Sequence, residues 1–149
     1  MNPVPAGWPR MSASLYCEDP HRAIEWMVSA MGFTVRLKID GEDGKLMHSE
    51  LTFGDAVVMV SGAGPSAREG RTYATSPRTN GGRVSGALML YVDDVEAHCA
   101  RARAAGGTIA QEPSTQDYGD EYWVDRSYEL VDPEGHRWWI SQRLKTQGK

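Results

Sequence analysis

The sequence predicts an α+β protein built from two tandem βαβββ modules that form a curved mixed sheet around a central cavity. Three observations point there. A strand, a helix and then three strands can be read twice within 149 residues. Short matches fall at corresponding places in the two halves, "AMGFTV" against "AAGGTI" and "VVMVS" against "RWWIS". Between the halves lies a stretch rich in Gly, Ser, Pro, Thr and Arg that has no apolar period. The expected organisation is a tail over 1–10, a first module over 11–62, a linker or ligand-covering loop over 63–84, a second module over 85–144 and a tail over 145–149.

The first module opens with "MSASLYCE", whose alternation reads as a strand. "DPHRAIEWMVSAMG" follows as a helix, with Asp19 as N-cap, Pro20 at the first helical position and Gly32 as the stop. Ile24, Met27, Val28 and Met31 fall on one face of it. "FTVRLKID", the turn "GEDGK", "LMHSELTF", the link Gly54-Asp55 and "AVVMVSG" supply three more strands.

The second module opens with the strand "SGALMLYV". "DDVEAHCARARAAGG" is an amphipathic helix with Val95, Cys99 and Ala102 on its apolar side. A short strand "TIAQEP", a long polar connection through "STQDYGDEYW", the strand "VDRSYELVDP", a turn and "HRWWISQRL" complete it. One such unit covers one face of its sheet with a helix and leaves the other bare. Two bare faces turned toward each other would enclose a cavity, and chemistry is to be sought there.

Sixteen basic and 20 acidic residues give a net charge of −4, which offers no broad attraction for nucleic acid or an anionic membrane. No apolar run is long enough to span a bilayer, and "MNPVPAGWPR" lacks the pattern of a secretion signal, so a cytoplasmic location is expected. Cys17 and Cys99 stand in unrelated contexts and read as buried free thiols.

Strand alternation assigns faces. Val58, Val60, Trp138 and Ile140 should face the helices, and Met59, Ser61, Trp139 and Ser141 the cavity. Ser12, Ser14, Tyr16, Ala87, Met89 and Tyr91 should look into the same space. Such a wall suits a flat aromatic ligand, or else simply fills the groove as core. His48 and Glu50 share one face of their strand, with Met47, Leu51 and Phe53 on the other. They are the acid/base candidates, or an ion pair with no chemical role. Tyr128 and Leu130 should pack on the helix and Glu129 point to the cavity, where it can accept from a ligand amine or pair with Arg126 or Arg137. Tyr118 and Trp123 belong to a loop at the cavity mouth or to a dimer contact. His21 and His98 are expected at the surface. Asp132 to His136 reads as a turn set by Pro133 and Gly135, with Asp132 bonding amides and Glu134 and His136 in solvent.

Through the paired modules over about residues 11–144, "YVDDVEAHCARARAAGG" and "DPEGHRWW", the chain resembles the vicinal oxygen chelate superfamily. That superfamily includes glyoxalase I, extradiol dioxygenases, and bleomycin and other antibiotic-binding resistance proteins. In its metal-dependent members each module supplies His or Gln from its first strand and Glu from its fourth. The matching positions here are Ser12 and Met59, and Ala87 and Trp139; a shift of one residue either way still supplies no metal ligand. The resemblance therefore implies a metal-free, ligand-binding member without a cofactor, pairing as a homodimer and reversibly binding a small aromatic or amphipathic organic molecule. Expected ligand contacts are Tyr16, His48, Glu50, Met59, Met89, Tyr91, Trp123, Glu129 and Trp139. The rival reading is a lyase, isomerase or epimerase using His48 and Glu50 or a displaced metal site. A third is an interaction module whose groove is filled by its own side chains.

Overall fold

The computed structural model describes residues 1–146. They form two compact units, one spanning Met1–Gly81 and the other beginning at Gly82. The first unit contains β1 (Ala13–Cys17), α1 (Pro20–Trp26), β2 (Thr34–Asp40), β3 (Leu46–Phe53) and β4 (Ala56–Gly62). The second repeats the order with β5 (Leu88–Tyr91), α2 (Val95–Ala104), β6 (Thr108–Asp117), β7 (Val124–Val131) and β8 (Arg137–Lys145). Sheet order is β1-β4-β3-β2 in one and β5-β8-β7-β6 in the other. The first and last strands of each unit pair in parallel and the remaining neighbours antiparallel. A parallel pair needs a long crossover, and the helix with its two intervening strands provides it.

In the first unit Asp19 accepts a hydrogen bond from the Arg22 amide at 3.2 Å, and Pro20 opens the helix. The helix continues as a π-turn, Met27–Met31, and ends at Gly32, whose φ of 84° lies in the left-handed region. The wider turn changes the buried face: Ala30 joins Ile24, Met27 and Met31 in the core, while Val28, expected there, is only half-buried. A similar phase slip occurs in β3. Ile39 pairs with His48 but Asp40 pairs with Leu46, so Met47 is an extra residue in a bulge. Leu46 is consequently buried and Met47 is 42% exposed, the reverse of simple alternation. The polar stretch after β4 packs on the first unit through two 3-10 turns, Gly64–Ser66 and Pro77–Thr79, and buries Ala63, Ala74 and Ser76. Ser66 Oγ donates to the Glu18 carbonyl at 2.6 Å.

In the second unit Asp94 caps α2 by accepting from the Ala97 amide at 2.9 Å. Val95, Cys99 and Ala102 are buried as expected, and so is His98, which was expected at the surface. His98 lies on the same helical stripe, and its Nδ1 shares a hydrogen with the Tyr128 hydroxyl at 2.7 Å. β6 is longer than "TIAQEP": it runs to Asp117, with Thr115, Gln116 and Asp117 still paired to β7. As an edge strand with mostly exposed side chains it carries no apolar alternation, so its length is invisible to periodicity. β8 ends at Lys145; residues 147–149 of the expected C-terminal tail lie outside the described residues.

The turn between β7 and β8 is organised by Asp132. Its Oδ1 accepts from the amides of Glu134 at 3.0 Å and His136 at 2.9 Å, and its Oδ2 from Trp138 Nε1 at 3.0 Å. Gly135, with φ of 92°, allows the reversal. These bonds draw the turn against the sheet, and Glu134, expected in solvent, is only 3% exposed. Both cysteines are buried thiols. Among the described residues no helix is long and apolar enough to cross a membrane.

The buried imidazole–phenol pair is testable. Tyr128→Phe removes the partner of His98 Nδ1 without changing ring packing, and should cost about 1–3 kcal/mol in urea unfolding. A midpoint equal to that of the parent would show that the bond contributes nothing.

Candidate functional site

Side chains on the second sheet alternate between α2 and an open face. Tyr128, Leu130, Trp138, Ile140 and Leu90 are buried on the helix side. On the open side, strand register lines residues up in rows across the sheet. One row is Gln111, Glu129, Trp139 and Met89; the next is Ser114, Ser127, Ser141 and Tyr91; the third is Gln116, Asp125 and Arg143. A cleft of about 480 Å³ lies over these rows, lined by Met89, Gln111, Gln116, Tyr118, Asp125, Ser127, Glu129, Trp139 and Ser141, with Tyr128 at its base. Trp139 and Met89 are 49% and 51% exposed, large apolar groups fixed on paired strands.

Polar groups in the cleft are held by one another. Trp139 Nε1 donates to Glu129 at 3.2 Å, and the Ser127 and Ser141 hydroxyls share a hydrogen bond at 2.8 Å. The side-chain amides of Gln111 and Gln116 each donate to Ser114 Oγ at 3.1 Å. Asp125 accepts from Arg143 Nε and from the Tyr91 hydroxyl. The Arg143 guanidinium lies 5.2 Å from the Tyr91 ring centre and 5.1 Å from that of Trp123. Met89, Glu129 and Trp139 come together in the cleft, whereas Tyr91 and Trp123 lie beside it, engaged with Arg143. From the aromatic loop, Tyr118 lines the cleft and packs on Trp123 with centroids 5.7 Å apart.

Gln111, Gln116, Asp125, Ser127 and Arg143 were not anticipated. Asp125 and Ser127 were legible in principle, since they precede Glu129 at spacings of two on one strand. Gln111 and Gln116 were not: two bulges in β6 shift the phase between Ile109 and Ser114.

The other expected residues lie in the first unit. Ser14 is paired with Met59 and Tyr16 with Ser61. Tyr16 meets Tyr73 edge-on, centroids 6.1 Å apart. Burial, then the contact with Tyr73, pushes the Tyr16 hydroxyl above its ordinary value. His48 Nε2 and Glu50 Oε1 are 3.0 Å apart, and a third partner completes the group: Arg36 Nε donates to Glu50 Oε2 at 2.6 Å. Arg36 is the extra residue of a bulge between Val35 and Leu37, which re-aims its side chain. From behind, the N-terminal segment supports it, with the Gly7 carbonyl accepting from Arg36 Nη1 and the Trp8 ring 4.8 Å from the guanidinium. The hydrogen bond from His48, followed by that from Arg36, holds the Glu50 carboxyl below its ordinary value. Glu50 is therefore better suited to orienting His48 than to accepting a proton.

At the positions matching family metal ligands, the donor chemistry does not fit. Met59 and Trp139 offer no hard donor, and the residues directly opposite them in register are Ser14 and Met89. Among the described residues no group of three or more His, Cys, Asp or Glu side chains gathers to hold a metal ion.

Comparison with known proteins agrees with this architecture. The family description "Glyoxalase/Bleomycin resistance protein/Dioxygenase superfamily" matches residues 11–140. An uncharacterized protein of Mycobacterium bovis is 31% identical over 137 residues, covering 92% of this chain and 85% of its own. TioX from Micromonospora sp. ML1 superposes with a TM-score of 0.66 at 29% identity, covering 90% of this chain and 95% of that one. TnmS3, an antibiotic binding protein from Streptomyces sp. CB03234, shares the fold with a TM-score of 0.60 at 22% identity, over 89% of this chain and 93% of its own.

The Arg36–Glu50–His48 group predicts a pH dependence. Because the folded-state carboxyl sits below its ordinary value of 4.5, its stabilising effect is present above that pH and lost as pH falls through the folded value. Glu50→Gln should lower the thermal midpoint at about pH 7, and the gap should narrow as pH falls below 4.5. A gap of constant size across that range would show that the pair is energetically silent.

Proposed function

The chain belongs to the glyoxalase/bleomycin resistance protein/dioxygenase superfamily, and on that premise we propose that it reversibly binds a small, flat aromatic or amphipathic molecule without a metal ion. The observation that carries this reading is Trp139, a half-exposed indole on a central strand of the second sheet, beside Met89 and Glu129 in the cleft. Beside a second large apolar side chain on a rigid open face, it offers a stacking platform. Serine hydroxyls and glutamine amides around it supply adaptable polar contacts. Tyr118 adds a second ring at the edge, and Tyr91 and Trp123 support the wall through Arg143. Tyr16 and Met59 offer apolar surface, and His48 and Glu50 polar contacts, on the first sheet. That TnmS3 is an antibiotic binding protein with this fold is compatible with sequestration of such a molecule. Metal independence is supported by the donor set at the matching positions.

A second reading is favoured by one observation, the His48–Glu50 dyad oriented by Arg36. In a lyase, isomerase or epimerase, His48 would be the base and Glu50 would hold its ring in place. We also assign a cytoplasmic homodimer. The buried thiols suit a reducing compartment, and the exposed Val35, Leu37 and Ile39 on edge strand β2 suit contact with a second copy.

Planar aromatic compounds should raise the thermal midpoint and quench tryptophan emission. Trp139→Ala should weaken their binding by about tenfold, roughly 1.4 kcal/mol. Dissociation constants unchanged by this substitution would remove the indole from the site. Elemental analysis of protein purified without chelator should find no stoichiometric Zn, Ni, Mn or Fe; one equivalent would overturn metal independence.

A further inference from the structure

We propose that the cleft on the second sheet selects organic cations, seating a protonated amine on Glu129 and the ring that carries it on Trp139. This rests on the cleft being a ligand site and adds the charge of the ligand. The two units can be compared at one register position. Glu50 on β3 is paired with Leu37, and Glu129 on β7 with Gln111. Beside each glutamate the edge strand carries a one-residue bulge: Arg36 is the extra residue between Val35 and Leu37, and Ala110 is its counterpart between Ile109 and Gln111. Two residues before each glutamate, on the same strand, stand His48 and Ser127.

The two glutamates therefore share a backbone setting and differ in charge setting. In the first unit the bulge residue and the residue two before are both basic, and they hold Glu50 at 2.6 Å and 3.0 Å. In the second, the same two positions carry a methyl group and a hydroxyl, and neither can neutralise a carboxylate. Among the described residues no Lys, Arg or His side chain pairs with Glu129; its hydrogen bond comes from the neutral Trp139 Nε1 at 3.2 Å.

The rest of the cleft does not make up the difference. Its lining contains two carboxylates and no basic side chain. The other carboxylate, Asp125, is already engaged by Arg143 and the Tyr91 hydroxyl. One negative charge is left beside a half-exposed indole, and a ligand ammonium would supply the pairing that Arg36 and His48 supply to Glu50. The face of Trp139 adds attraction for the same charge. A divalent metal would need several oxygen donors, and no group of three acidic, His or Cys side chains gathers here among the described residues.

The probes are 9-aminoacridine, a cation at about pH 8 that holds its proton on the ring nitrogen and shares the charge with its amino N–H groups, and acridine, which presents the same rings and is neutral at that pH. Each is titrated into the full chain at that pH, followed by ligand fluorescence and calorimetry. We expect 9-aminoacridine to bind at least about tenfold more tightly, with the preference shrinking as salt is added. Glu129→Gln keeps an acceptor for Trp139 Nε1 and should abolish the preference. Equal affinities for the two probes, or a preference that survives in Glu129→Gln, would overturn the cation assignment while aromatic binding stood. Failure of both probes to bind would overturn the aromatic-binding reading and the cation assignment with it.

Discussion

In each unit a four-stranded sheet is covered by one helix on one face only, and this division governs everything built on it. The strands that pack on the helix, β7 and β8 above all, place apolar residues on alternate positions to meet it. The positions between are released from the core. Trp138 and Trp139 show the division at adjacent residues: the first is 1% exposed and bonded to Asp132, the second is 49% exposed over the cleft.

Bulges set how this plain alternation is used. The shifts at Arg36, Met47 and Ala110 each insert a residue that the partner strand does not match, and side chains beyond them change direction. At Arg36 the result is an ion-pair network reaching from the N-terminal segment to His48. At Ala110 the same backbone device carries no charge, and Glu129 stays open to the cleft. A repeated fold thus presents one carboxylate in two chemical states through substitutions around it. On the reading proposed above, binding energy in the cleft would come from a ring on an indole, and discrimination from the charge next to it.

Buried polar groups on the helix side give the second unit its definition. Asp132 gathers two amides and an indole N–H, and burial raises its carboxyl above its ordinary value despite those donors. His98 and Tyr128 join the helix to the sheet through one bond. These contacts fix the turn and the helix behind the open face. Trp139 and Met89 are accordingly carried on paired strands rather than on a loop; for the ligand proposed above, that would lower the cost of ordering the surface around it.

The sequence by itself determined the repeated βαβββ order, the cap at Asp19, the burial of Trp138, Tyr128 and Leu130, and the outward placement of Met89, Glu129 and Trp139. All of these follow from local period and capping chemistry, which act over a few residues. Only the tertiary structure decided the burial of His98 and Glu134, the length of β6, the exchange of Leu46 for Met47, and the partners of Glu50 and Asp125. Each depends on a contact with a distant strand or on a bulge defined by two strands together, and neither leaves a periodic trace in one chain segment. Glu129 shows where the two meet: its direction was written in β7 alone, while the lack of a basic partner among the described residues depends on what β6 and β8 place beside it.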